Sequence, residues 1–175
     1  MQKFKVFLGL FVVVNLSFAQ GENPVFPDSY LGSYQGTLNI YLLDGKIQEV
    51  PMEFHLTRTD AENRYAYTLV YDGQAREYTL VVLDKEKGLY ELDENNGIIL
   101  PTRFANNILF SFFQVDSTFL SSRLAFSGKN LNFEILSTQL GEKVETGKNL
   151  EMDIYGFPIK GLQQASLTRV ETSSD

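Results

Sequence analysis

The chain has 175 residues, of which 43% are hydrophobic and 13% aromatic, so a wholly disordered polypeptide is excluded and one domain with a substantial core is expected. Its formal charge of −7 argues against a phosphate-backbone partner such as nucleic acid. The absence of cysteine excludes disulfide staples, thiol catalysis and cysteine-ligated metal.

Residues 1–19 read as a signal peptide. Lys3 and Lys5 precede an apolar run from Val6 to Val14, and Ser17 and Ala19 supply the small residues of a cleavage site. The run is too short to span a bilayer comfortably, so no membrane span is expected in the mature protein. Export to the periplasm or the cell exterior follows as an expectation. Residues 20–29, with two prolines and small polar side chains, read as a short leader to a single domain over 30–171.

From Tyr30 the pattern has period two. Tyr34, Gly36, Leu38, Ile40 and Leu42 share one face, while Ser33, Gln35, Thr37 and Asn39 share the other. Asp44-Gly45 is a tight-turn dipeptide, after which Met52, Phe54 and Leu56 point inward and Glu53, His55 and Thr57 outward. The rhythm repeats through Tyr65, Tyr67, Leu69 and Tyr71, a turn at Asp72-Gly73, and then Tyr78, Leu80 and Val82. Further turns are marked by Lys87-Gly88, by Asp93 to Gly97, by Asn106-Asn107 and by Gly128 to Asn130. Between them, Ile108 to Val115 is apolar on both faces and Leu131 to Leu136 alternates again. Gly141 to Glu151 is charged and unpatterned and reads as a mobile loop; Gln163 to Val170 is the last strand, and 172–175 form a polar tail.

About ten sequential strands with one apolar face leave costly edges as an open sheet, and short hairpin links favour closure over a sandwich. The expected fold is all-β, an antiparallel up-and-down barrel of about 8–10 strands. An outer-membrane barrel is disfavoured, because outward Gln35, Asn39, Glu53 and Glu77 are too polar for lipid and the chain ends on a polar tail.

The Gly32-Ser33-Tyr34 start of the first strand, followed by Gly36, resembles the Gly-x-Trp signature of the calycins, the superfamily of lipocalins and fatty-acid-binding proteins. Arg169 in Ser166-Leu167-Thr168-Arg169-Val170 stands where lipocalins carry a basic residue that packs on the signature ring. The resemblance implies a lipocalin-like barrel of the bacterial secreted kind, closed at one end by Gly32, Tyr34 and Arg169. Tyrosine replaces tryptophan, no helix follows the last strand, and the Asp44-Gly45 turn leaves no room for the helical lid of fatty-acid-binding proteins.

Reaction chemistry is sparse. His55 is the single histidine and falls on an outward face, so haem or metal ligation lacks a partner. No Gly-x-Ser-x-Gly elbow occurs, and Asp93-Glu94 belongs to a turn. Carboxylate pairs for glycoside hydrolysis depend on spatial spacing and stay open at this point. No enzyme activity and no cofactor are expected. The residues expected to line a ligand space are Leu38, Ile40, Met52, Phe54, Leu56, Tyr65, Tyr67, Leu69, Tyr78 and Leu80, whose rings and hydroxyl tips suit a small hydrophobic or amphiphilic molecule. The competing expectation is a filled barrel that engages a protein or glycan on its outer surface, with Leu109, Phe110, Phe112 and Phe113 as a candidate patch.

Overall fold

The structure, a computed structural model, describes residues 25–147 and 151–171. The expected signal peptide and tail 172–175 lie outside the described residues. After a 3-10 turn at Asp28–Tyr30 come β1 (Gly32–Tyr41), β2 (Ile47–Arg58), β3 (Arg64–Tyr71), β4 (Gln74–Asp84) and β5 (Leu89–Asp93). The chain continues through β6 (Ile99–Ala105), β7 (Ile108–Val115), β8 (Thr118–Ser127) and β9 (Asn130–Gln139). A short hairpin of β10 (Val144–Thr146) and β11 (Ile154–Gly156) precedes β12 (Gly161–Val170).

Strands β1 to β9 pair in sequence, and β12 pairs with both β9 and β1, closing a ten-stranded antiparallel up-and-down barrel. The seam runs from Ser33↔Val170 to Tyr41↔Leu162, so no edge of the main sheet is left free. Local chemistry builds the meander: at Asp72-Gly73 and Asn106-Asn107 both turn residues have positive φ, the geometry whose twist matches flanking strands. Asn, Asp and Gly are the residues that reach it at low cost.

β10 lies inside the segment that the sequence marks as a loop. Its three residues pair with β11 outside the barrel, and all three are exposed, so no alternation betrays them. Both strands belong to an excursion tied back by Leu140 N–H to Ser117 O (2.9 Å) and Lys160 N–H to Ser137 O (2.8 Å).

Strand directions divide the barrel into two ends. The 3-10 turn and the β2–β3, β4–β5, β6–β7 and β8–β9 links lie at one; the β1–β2, β3–β4, β5–β6 and β7–β8 links and the β10–β11 excursion lie at the other. The core sits toward the first end, where Tyr34, Phe54, Leu56, Tyr90, Phe126 and Leu131 pack together. Mid-wall positions Gln35, Glu53, Thr57, Asn132, Ser166 and Thr168 form a wet exterior. Among the described residues no helix is long and apolar enough to cross a membrane.

Candidate functional site in the open half of the barrel

The first end is sealed by the chain's own N-terminal segment. Phe26 enters the lumen, stacks on Phe104 with ring centroids 4.2 Å apart and meets Tyr90 edge-on at 5.1 Å. Tyr30 packs beside it on Phe126 at 4.6 Å. Every tyrosine hydroxyl at this end has a protein acceptor: Tyr34 donates to Tyr30 O (2.9 Å), Tyr90 to Phe26 O (3.1 Å), Tyr65 to Asp28 Oδ1 (2.9 Å) and Tyr30 to Asn107 Oδ1 (2.9 Å). Asp28 also accepts from Lys85 Nζ at 2.7 Å and faces Arg58 at 2.8 Å. The Lys85 hydrogen bond, ahead of the Tyr65 hydroxyl and the Arg58 charge, holds its carboxyl below the usual carboxylate value against the opposing effect of burial.

Gly32, Tyr34 and Arg169 meet at the same end. Tyr34 is fully buried and is the register partner of Arg169, whose guanidinium donates to Leu31 O. Gly32 has φ +143°, and a Cβ there would stand 2.7 Å from Arg169 Nε, so this glycine makes room for the guanidinium. Packing of the guanidinium on the ring face is not the arrangement adopted: among the described residues the cation–π pairs are Arg76 with Tyr71 and Lys143 with Tyr155. The guanidinium is instead held by its charge-assisted hydrogen bond to the Leu31 carbonyl.

The second end is built differently. Ile40, Val50, Tyr71, Tyr78, Leu92, Phe113 and Ile135 point inward by register, yet all remain half-buried. One wall, on β3 and β4, carries the large side chains of Tyr67, Tyr71 and Tyr78. The facing wall, on β7 to β9, carries Ser111, Ser122 and Ser137 at inward positions. Phe113 and Ile135 share that wall with the serines, and the half-burial of the inward residues at this end makes it an open cup in place of a packed core.

Polar atoms in this cup are partly engaged, with Ser111 Oγ donating to Pro101 O at 3.4 Å. Tyr67 is only 3% exposed, and the Tyr78 hydroxyl has the Arg76 guanidinium beside it as a hydrogen-bond donor. Burial, followed by mutual proximity to the other phenols, pushes the Tyr67 and Tyr71 hydroxyls far above the ordinary tyrosine value. Tyr78 is raised mainly by burial, with Glu94 acting in the same direction and Arg76 opposing it. Arg76 has inward register opposite Leu69, and its Cζ lies 5.9 Å from the Tyr71 ring centroid. The cup thus offers neutral phenols that donate or accept, one guanidinium that only donates, and apolar walls.

The ten residues expected to line a ligand space separate by height. Leu38, Met52, Phe54, Leu56 and Leu80 belong to the tight core, and Tyr65 is engaged with Asp28 at the sealed end. Tyr67, Leu69, Tyr78 and Ile40 stand at the cup floor or wall. The sequence reading missed Phe26 and Tyr30 as a plug, as well as Arg76 and the serine wall. Among the described residues no group of three His, Cys, Asp or Glu side chains could hold a metal ion. His55, on the outer wall, is engaged by Ser33 Oγ at 2.8 Å and Glu53 Oε2 at 3.0 Å.

Exposed large apolar side chains crowd the open end: all except Val25, Leu83, Leu89 and Val170 lie in its half of the strands or its loops. Two further concavities lie outside the lumen. One of about 430 Å³ flanks the plug beside Phe26 and Gly88, and one of about 330 Å³ runs along the outer wall.

Plug, closed sheet and open cup belong to one ten-stranded antiparallel up-and-down β-barrel. In fold the chain is similar to a protein of unknown function of the DUF3598 family from Nostoc punctiforme, with TM-score 0.62, 10% identity, 85% of this chain covered and 51% of that one. The chain thus spans about half the length of the Nostoc protein. It is also similar to an S-type phycobiliprotein lyase from Guillardia theta, with TM-score 0.53, 9% identity, 82% of this chain covered and 89% of the lyase. No protein-family model matches the chain, and no curated protein sequence matches it.

Proposed function

We propose that this protein is an exported, non-enzymatic binding protein for a small amphiphilic molecule held in the open half of its barrel. The observation that carries the reading is the cup itself: inward apolar side chains left half-exposed around the hydroxyls of Tyr67, Tyr71 and Tyr78, with Arg76 exposed at the mouth. Apolar burial alone is a weak anchor. An eight-carbon body gains about 6 kcal/mol gross at ~0.8 kcal/mol per methylene, which only matches the lower part of the ~4–15 kcal/mol association cost. Polar contacts from the phenols and Arg76 supply the remainder, so the ligand carries a hydrogen-bond acceptor beside its apolar part. The apolar crown around the mouth suits entry of such a molecule from a hydrophobic source. The sequence pattern of residues 1–19 supports export, and the fold shared with a phycobiliprotein lyase is compatible with ligand handling.

The mature protein purified from its native host is expected to carry a bound mass in native mass spectrometry that organic extraction removes. After extraction it should raise the fluorescence of anilinonaphthalene sulfonate saturably, with affinity lowered in Arg76→Met and Tyr78→Phe. An apo mass together with no saturable dye response contradicts the reading. That result would favour a filled barrel whose partner sits on the exterior, where Phe112, 63% exposed, stacks on Phe119 at 5.9 Å.

A further inference from the structure

The outer-wall groove has an organisation independent of the cup. Arg123 on β8 is the register partner of Glu134 on β9, Glu134 of Gln164 on β12, and Gln164 of Asn39 on β1. These four residues form one row perpendicular to the strands, three strand spacings or about 14 Å long. All four are half-buried, and they line a concavity of about 330 Å³ floored by the backbone of Phe133 and Ala165, whose side chains belong to the core. The outer wall of a closed barrel is convex, so a groove across it requires side chains that stand up on both margins.

Hydrogen bonds within the groove orient the row without exhausting it. Gln164 Nε2 donates to Glu134 Oε2 at 2.8 Å, and one row toward the sealed end Ser166 Oγ donates to Asn132 Oδ1 at 3.1 Å. The Arg123 guanidinium has no carboxylate within ion-pair distance, and the Asn39 amide makes no side-chain hydrogen bond, among the described residues. Toward the open end Tyr41, two residues along β1 from Asn39, bounds the groove with a ring that is 36% exposed.

Guanidinium, carboxylate and two amides in line present donors and acceptors side by side in planar groups. Vicinal hydroxyls, each donor and acceptor at once, match that array, and the C–H face of a pyranose ring matches an exposed aromatic ring beside it. An apolar ligand would leave the row's polar groups desolvated and unpaired. An anionic one meets Glu134 and a chain of formal charge −7. We propose that this groove binds a neutral oligosaccharide, with Tyr41 under one ring and Asn39, Gln164, Glu134 and Arg123 on the hydroxyl edges of roughly two or three sugar units, given its ~14 Å run.

The test is native affinity electrophoresis of the mature protein through gels containing hydroxyethylcellulose, galactomannan, starch or a β-1,3-glucan. At least one gel should retard the wild-type protein. Tyr41→Ala and Gln164→Ala should each lower that affinity by about ten-fold, with thermal unfolding unchanged, while Arg76→Met in the cup leaves retardation intact. Mobility equal to the blank gel throughout overturns the proposal. So does retardation that persists unchanged in both groove variants.

Discussion

The two halves of this barrel are drawn from the same strands with the same alternation, yet one is a solid core and the other a cup. In the sealed half, Tyr34 and Leu56 are fully buried, and the hydroxyls of Tyr30, Tyr34, Tyr65 and Tyr90 all have acceptors. In the open half, Tyr71, Tyr78 and Phe113 are half-exposed, and Tyr78 has only the exposed Arg76 side chain as its partner. Side-chain size contributes to the difference: rings crowd together at the sealed end, whereas Ser111, Ser122 and Ser137 interrupt the apolar wall at the other. A plug of two rings from outside the sheet completes the packing of the sealed half. Packing is thereby tight at one height of the tube and loose at the other.

Matched truncations give the largest expected contrast. Phe54→Ala in the sealed half should cost about 3–5 kcal/mol in denaturant unfolding, because the surrounding rings cannot collapse into the void. Phe113→Ala on the cup wall should cost less than about 1.5 kcal/mol, since its ring is already partly in water. Equal costs would erase the distinction between the halves.

Gly32→Val sharpens the account of the sealed end. The φ of +143° and the 2.7 Å approach of Arg169 Nε both oppose a side chain there, and about 1–3 kcal/mol of stability should be lost. Arg169→Ala combined with Gly32→Val should then show a penalty smaller than the sum of the single changes, as shared partners require.

The pH limits of stability provide the smallest effects. The Asp28 carboxyl ionises at lower pH in the folded state than in the unfolded chain. Its contribution is therefore complete above the unfolded value, near 4, and is lost as pH falls through the folded value. The Tyr90 hydroxyl is pushed up to about 12, first by burial and then by Tyr65 and Asp28. That contribution is complete below about pH 10 and is lost as pH rises toward 12. Melting temperatures across pH should flatten on the acid side in Asp28→Asn and on the alkaline side in Tyr90→Phe.

Much of this fold is legible in the residues. Period-two alternation around Leu38, Phe54, Tyr67 and Leu80 and the Asp44-Gly45 and Asp72-Gly73 turns lead directly to a closed antiparallel barrel. Height within the barrel is less legible. It depends on register accumulated over ten strands, so parity shows that Ser111, Ser122 and Tyr78 face inward but not that they face one another. The plug escapes for another reason: Phe26 and Tyr30 are two rings among prolines and polar residues, too few to form a period. Two aromatics bracketing Pro27-Asp28 just before the first strand are the signal that could have found them.

Acrylamide quenching of single-tryptophan reporters tests the half-filled barrel most directly, because the natural chain contains no tryptophan to interfere. Phe113→Trp should report from the cup wall and Phe126→Trp from the sealed core. Steep quenching of the first, relieved when an amphiphile is added, and near-complete protection of the second are expected. Equal protection of both reporters, with no response to added amphiphile, would mean that the barrel is filled from end to end.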